Sequence, residues 1–272
     1  MKITELKSLL IELGIHPSKL RGQNFLIDNN ILQKIVLKSG IEKDDHILEV
    51  GPGFGALTEK LIDRSKKVLA VEFDRKLYEF LENKYKDSTN LTLLHKDILK
   101  VQASEIEKVL GKKYKVIANL PYSITSSFLR KFLEAKNKPT ELVLMIQKEV
   151  GERMLAKVPQ MNILALSVQL FAQPKILFTV SEGSFFPEPR VKSVVIQLKI
   201  NSSINLSEKD QKKFFEIVKL GFSSKRKKLI SNLGKKFDKE VLKRVFGELG
   251  LGENVRAQEV GLEIWVELVK FL

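Results

Sequence analysis

The stretch Ile47-Leu48-Glu49-Val50-Gly51-Pro52-Gly53-Phe54-Gly55 constrains this chain more than any other. Its apolar run is too short for a helix and reads as a buried strand over 47–50. Glycines at alternate positions follow, and helical spacing takes over across 56–62. Glycines let the backbone come close to a ligand, and the helix N-terminus behind them offers unpaired N–H groups. Strand, glycine turn and helix in that order open a nucleotide-binding α/β fold. The next strand, 68–71, runs into Glu72, 21 residues after Gly51. An acid there is placed to accept hydrogen bonds from ribose hydroxyls.

The alternation continues. A helix over 75–84 leads to a strand over 91–94 that reaches Asp97, and the apolar run 114–118 ends at Asn119. A helix over 124–136, a strand over 141–146, a helical stretch 163–171 and a strand 193–200 complete the pattern. It predicts a mainly parallel sheet with helices on both faces, in which ligands bind at the carboxyl ends of the strands. Gly51, Gly53, Glu72, Asp97 and Asn119 are therefore expected to share one crevice.

Ahead of this lie an amphipathic helix over 1–14, a basic loop around Lys19, Arg21 and Gly22, and a helix capped near Asp28 and running to about Ser39. Behind it, 201–205 is a polar linker with paired serines. Ser207-Glu208-Lys209-Asp210 resembles a helix-capping signal, and the remainder is helical in pattern. The expected organisation is a ligand-binding domain over 1–200, including an N-terminal helical and loop segment 1–40, and a small helical domain over 201–272.

Asn119-Leu120-Pro121-Tyr122 suits a planar ring carrying an exocyclic amine. Asn119 accepts one N–H through its side-chain oxygen. Pro121 biases Leu120 toward extended backbone, which holds the Leu120 carbonyl ready to accept the second. Tyr122 offers a face for stacking, and Phe185 is a candidate for the opposite face. Two acceptors gripping both hydrogens free the amine lone pair to attack an electrophilic carbon, the methyl that S-adenosylmethionine supplies. The bland alternatives are a proline turn whose tyrosine packs in the core, and a core phenylalanine beside prolines. Gly51-x-Gly53-x-x-Ala56 also fits a looser dinucleotide pattern, so a nicotinamide-dependent oxidoreductase stays open. That reading leaves the Asn119 cluster without a task.

Charge points to the partner. The chain carries 47 Lys+Arg against 33 Asp+Glu, a net +14. Within 207–244 there are 13 basic and 5 acidic residues, concentrated at Lys225, Arg226, Lys227 and Lys228. A solvated helix face is the plain reading; a phosphate-tracking surface is favoured beside a base-modifying pocket. With no cysteine, disulfides, thiolate metal sites and cysteine nucleophiles are excluded, and His16, His46 and His95 lie in unlike contexts, so no metal is expected. No apolar run approaches the ~20 residues of a membrane span and no signal sequence is visible, which fits the cytoplasm.

Together these stretches resemble the ribosomal RNA adenine dimethyltransferase family, of the small-subunit type called KsgA or RsmA. The motifs are Gly22-Gln23-Asn24-Phe25-Leu26, Leu48-Glu49-Val50-Gly51-Pro52-Gly53, Asn119-Leu120-Pro121-Tyr122, Gln147-Lys148-Glu149-Val150, Phe185-x-Pro187-x-Pro189-Arg190-Val191-x-Ser193, and 222–233 in the tail. The resemblance implies a Rossmann-like class I methyltransferase domain with a small C-terminal helical domain. It implies dimethylation at N6 of two adjacent adenosines in the hairpin loop near the 3′ end of small-subunit rRNA. The implied cofactor, S-adenosylmethionine, would be held by Asn24, Leu26, Gly51 with Gly53, Glu72, Asp97 and Asn119. Asp97 would read its adenine amino group, with Tyr122 and Phe185 sandwiching the target adenine. The implied partner is small-subunit rRNA in the assembling 30S subunit, the expected state a monomer. Two departures lie beside the substrate pocket: Glu188 stands where the family often has a third proline, and Ser123-Ile124-Thr125 where it commonly has Asn-Ile-Ser. A methyltransferase of the same fold acting on large-subunit rRNA and a non-catalytic assembly factor are the rival readings.

Overall fold

A computed structural model describes residues 3–17, 23–201, 204 and 206–272. The loop residues Lys19, Arg21 and Gly22, and the paired serines Ser202 and Ser203, lie outside the described residues. Packing divides the chain into two units: Met1–Gly151 with Pro174–Ile200, and Glu152–Gln173 with Asn201–Leu272.

The first unit opens with α1 (Ile3–Glu12), β1 (Phe25–Leu26) and α2 (Asn29–Lys38). Asp28 caps α2 as the sequence suggested, its carboxylate accepting from the backbone N–H groups of Asn30 and Ile31. Strand and helix then alternate through β2 (His46–Val50), α3 (Ala56–Ile62), β3 (Lys67–Glu72), α4 (Arg75–Lys84), β4 (Leu91–His95), α5 (Ala103–Leu110), β5 (Lys115–Asn119), α6 (Thr125–Leu133) and β6 (Glu141–Gln147). After α7 (Lys148–Met154) and α8 (Ile163–Gln169) come β7 (Ala172–Val180), β8 (Phe185–Phe186) and β9 (Ser193–Ile200).

Seven strands form one sheet in the order β4-β3-β2-β5-β6-β9-β7. The first five run parallel, which brings the ends of β2, β3, β4 and β5 out on one side, and β9 returns antiparallel against β6. Successive side chains point to opposite faces. Ile47, Val68, Ile117, Val143, Met145 and Val195 form one apolar layer with Leu32, Ile35 and Val36 of α2 and Leu57 and Leu61 of α3. Leu48, Leu69, Val116, Leu144 and Ile196, of opposite parity, are equally buried. Both faces are therefore covered, as the near-continuous apolar strands require.

Two differences from the sequence reading have local causes. β7 was not expected, because Pro174 interrupts its pattern; the strand sits at the sheet edge, where a missing backbone N–H is tolerated. Helix α6 begins at Thr125 rather than residue 124, because a tight turn over Tyr122–Ile124 precedes it.

The second unit contains α8, α9 (Glu208–Gly221), α10 (Leu229–Leu233), α11 (Lys239–Glu248) and α12 (Leu262–Phe271). Trp265 of α12 is fully buried, stacks on Phe222 at 5.7 Å and donates to the Val260 carbonyl at 3.2 Å. The boundary differs from the expected break at 200/201, because residues 152–173 belong here by their packing. Met161 N–H donates to the Gln258 carbonyl, Asn201 N–H to the Phe171 carbonyl, and Phe171 lies against Phe215. A local pattern cannot show that a helical segment between two strands packs with the tail.

Candidate active site

A cavity of about 370 Å³ in the first unit is lined from the carboxyl ends of β2, β3, β4 and β5 and from β1. Its walls include Asn24, Leu26, Gly51, Gly53, Glu72, Asp97, Asn119, Leu120 and Tyr122. The parallel register does this: strands aligned side by side end side by side, so residues far apart in sequence meet at the tips.

The glycine loop is built for close approach. Gly53 has φ +60°, and a Cβ there would lie 3.2 Å from the Phe25 ring, so a side chain is opposed by both conformation and space. Gly51, at φ +65°, abuts Pro121, which joins this loop to the tip of β5. Gly53 N–H donates to Glu72 Oε2 at 3.1 Å, while Phe73 and Asp74 N–H groups donate to Oε1 at 2.8 and 2.9 Å. Burial raises the Glu72 carboxyl above its usual range, and these three donors pull it back. Three backbone groups fix its direction; Oε1 accepts two of them, and Oε2, which accepts one, retains capacity for another donor. Asp97 caps the short turn after β4 through Oδ1, which accepts from Leu99 N–H at 2.9 Å.

Asn119 ends β5. Its Nδ2 donates to the Asn24 carbonyl at 3.3 Å. A carbonyl can only accept, so the group facing Asn24 is the N–H₂ and the amide oxygen is left to accept. Leu120 is buried and anchored by its N–H to the Met145 carbonyl at 3.2 Å. Tyr122 is half-buried, and its hydroxyl pairs with the fully buried Ser193 Oγ at 2.7 Å. Burial raises the Tyr122 phenol, against a smaller opposing effect of Ser193. The ring is thereby held at its far end.

Phe185 is not a second face in this structure. It is 2 % exposed, belongs to the apolar layer with Leu26 and α2, and is absent from the cavity walls. The cause is strand parity: β8 pairs antiparallel with β1, Leu26 opposite Phe185 and Phe25 opposite Phe186, and this registers Phe185 toward the core. Lys225, Arg226, Lys227 and Lys228 are exposed in the second unit, on a turn held by the fully buried Asn232. Asn232 Nδ2 donates to the Gly221 and Ser224 carbonyls at 2.6 and 3.1 Å.

The sequence reading gave no task to Glu49, Phe73 or Ser193. Phe73 lines the cavity while remaining 58 % exposed. Ser193 was visible only as the end of the Phe185 motif, and its pairing with Tyr122 spans 71 positions. Glu49 carried a signal that went unused: an acid inside a strand otherwise apolar enough to be buried.

A mainly parallel sheet of this order, with a glycine loop after β2, an acid at the end of β3 and an amide at the end of β5 around one cavity, defines a class I methyltransferase fold. Solved structures share it. A dimethyladenosine transferase from Plasmodium falciparum is 27% identical and matches over 90% of this chain and 95% of its own, with a TM-score of 0.77. The 23S rRNA methyltransferase ErmE is 23% identical over 92% and 99%, with a TM-score of 0.73, a likeness of fold. The Ribosomal RNA small subunit methyltransferase A of Dehalococcoides mccartyi is 40% identical over 91% of this chain and 85% of its own length. Its namesake in Ureaplasma parvum is 38% identical over 98% of both. The profile described as Ribosomal RNA adenine dimethylase matches residues 18–272, and the chain belongs to that family.

Proposed function

We propose that this protein dimethylates N6 of two adjacent adenosines in the 3′-terminal hairpin loop of small-subunit rRNA, using S-adenosylmethionine, during small-subunit assembly in the cytoplasm. The observation that carries the reading is the Asn119 amide. Asn24 orients it so that its oxygen accepts, beside the Leu120 carbonyl and Tyr122, in the cavity that also holds Glu72 and Asp97.

The cavity suits that cofactor. Among the described residues, Glu49, Glu72, Asp74 and Asp97 line it against one lysine, Lys96, which is paired with Glu105 at 2.8 Å. Such a wall favours a cationic ligand and disfavours a pyrophosphate, which argues against a nicotinamide dinucleotide. Gly51 and Gly53 leave room for the ligand, with Asn24 and Leu26 on the β1 side. Glu72 accepts from ribose hydroxyls, and Asp97, an acceptor, meets the cofactor's adenine amine.

S-adenosylmethionine supplies an electrophilic methyl on a sulfonium. The chain supplies position. A loop adenosine, already unpaired, is splayed into the pocket at a cost of a few kcal/mol. Tyr122 stacks on it, worth on the order of 1–3 kcal/mol. Asn119 Oδ1 and the Leu120 carbonyl accept the two N6 hydrogens and aim the lone pair. The methylated nitrogen then loses its proton to water, so no strong base is needed. Outside the pocket, the exposed run 225–228 provides cations for the phosphate backbone. A monomer is sufficient, since the first unit alone supplies every group named in this chemistry.

The test is transfer of labelled methyl from S-adenosylmethionine to undermethylated small ribosomal subunits, with nucleoside analysis of the digested RNA. Label in N6,N6-dimethyladenosine is expected. Label on large subunits only would assign the other ribosomal substrate, and cofactor binding without label on either would leave an assembly factor.

A further inference from the structure

Helix α6 carries two neighbouring cations that go different ways. The Arg130 side chain is 72 % exposed and pairs with Glu134 one turn along at 3.4 Å, an ordinary surface contact. Lys131 is partly buried, at the other edge of the apolar stripe formed by Phe128, Leu129, Phe132 and Leu133. There α6 meets the short turn Ile98–Lys100 that follows β4. Lys131 Nζ donates to the Leu99 carbonyl at 2.9 Å and to the Val101 carbonyl at 2.6 Å, 32 and 30 positions back in the chain.

A turn of three residues leaves its last carbonyls without partners of its own, and an ammonium placed there satisfies them with charge-assisted bonds. This turn matters for what it carries. Lys96, Asp97, Ile98 and Leu99 line the cavity, and Asp97 accepts from Leu99 N–H at 2.9 Å. Ahead of Asp97 the anchor is Lys96, paired with Glu105 of α5 at 2.8 Å. Behind it the anchor is Lys131. Among the described residues Lys131 is not part of the cavity wall, so its bonds serve the turn and not a ligand. Burial lowers the Lys131 ammonium, while Asp97 and Glu105 favour its charged form and Lys96 opposes it.

The other end of α6 gives the anchor its use. The helix opens at Thr125, directly after the tight turn Tyr122–Ile124 that carries the substrate's stacking ring. In-line methyl transfer requires the wall that grips the cofactor and the elements that grip the base to keep one spacing. We propose that Lys131 is a positioning residue for methyl transfer: through the Leu99 and Val101 carbonyls it fixes the Asp97 turn, and with it the adenine end of the cofactor, to the helix that continues the Asn119–Tyr122 stretch. The inference rests on the cavity being the S-adenosylmethionine site with Asp97 at its adenine amine.

Two analogues isolate that contact in calorimetry: S-adenosylhomocysteine, and S-inosylhomocysteine, in which a carbonyl replaces the adenine amine. The unaltered protein should prefer the first. Lys131→Met should weaken S-adenosylhomocysteine roughly tenfold and S-inosylhomocysteine less than about twofold, so that the preference shrinks. In methyl transfer the deficit should fall on the KM for S-adenosylmethionine more than on kcat. Lys131→Gln, which keeps an N–H₂ donor but no charge, serves the same comparison should the methionine variant fail to fold. Unchanged affinities overturn the inference. So does an equal loss for both analogues, which is the signature of general loosening. Equal affinities of the two analogues for the unaltered protein would take Asp97 away from the adenine and overturn it too, leaving the cofactor site standing. Failure of S-adenosylhomocysteine and S-adenosylmethionine to bind the unaltered protein would overturn the cofactor reading itself.

Discussion

The pair Tyr122 and Ser193 allows a quantitative test of how the substrate face is held. Their hydroxyls lie 2.7 Å apart, Ser193 is fully buried and Tyr122 half-buried. That asymmetry sets the ranking of the two single substitutions. Ser193→Ala frees a phenol that water can reach, and it should lose the net value of one neutral hydrogen bond, about 0.5–1.5 kcal/mol of stability. Tyr122→Phe strands the Ser193 hydroxyl in the core, and it should cost about 1–3 kcal/mol. The double variant should cost little more than Ser193→Ala, because it leaves no orphan, giving a coupling energy as large as the Tyr122→Phe cost, about 1–3 kcal/mol, in urea denaturation. Methyl transfer separates ring from hydroxyl. Tyr122→Phe keeps the stacking face and should slow transfer by no more than roughly tenfold. Tyr122→Ala removes a stack of about 1–3 kcal/mol and should slow it by roughly 10–100-fold, chiefly through RNA affinity in single-turnover assays. Strictly additive stabilities would refute the coupling of the hydroxyls. Equal rates for Tyr122→Phe and Tyr122→Ala would refute the ring as the substrate's platform.

Other substitutions test other parts of the site. Asn119→Ala should slow methyl transfer by roughly 100-fold at nearly unchanged RNA affinity, since it removes positioning rather than contact area; an unchanged rate would take Asn119 out of the reaction. Gly53→Ala puts a side chain at φ +60° and 3.2 Å from Phe25, and the strain of about 1–2 kcal/mol should weaken S-adenosylmethionine binding by roughly tenfold in calorimetry. Replacing Lys225, Arg226, Lys227 and Lys228 by glutamine should flatten the salt dependence of RNA binding by roughly 0.7–0.9 per lost phosphate contact, and an unaltered slope would leave the run a solvated turn. In the helical unit, Gly221→Ala would gain about 1 kcal/mol of helix propensity. Its Cβ would fall 2.4 Å from Trp265 and 2.9 Å from Leu229, so overpacking of about 1–3 kcal/mol should prevail and lower the denaturation midpoint.

The sequence by itself determined the alternation of strand and helix, the glycine turn, and the convergence of Gly51, Glu72, Asp97 and Asn119 at one end of a parallel sheet. The physical reason is that each is written locally: buried strands are short apolar runs, glycines mark backbone that must approach something, and parallel register carries successive strand tips to one edge. Tertiary structure decided what depends on partners distant in the chain. Phe185 turned to the core because β8 pairs with β1 in one register, a choice made across about 160 residues. Tyr122 found Ser193, and Asn119 had its amide oriented by a backbone carbonyl 95 residues away. Residues 152–173 joined the tail because packing, not proximity in sequence, defines a unit. Glu49 shows the division most clearly. The sequence places an acid in a buried strand; only the folded structure shows that it lines the cavity and that one of its oxygens has no donor among the described residues.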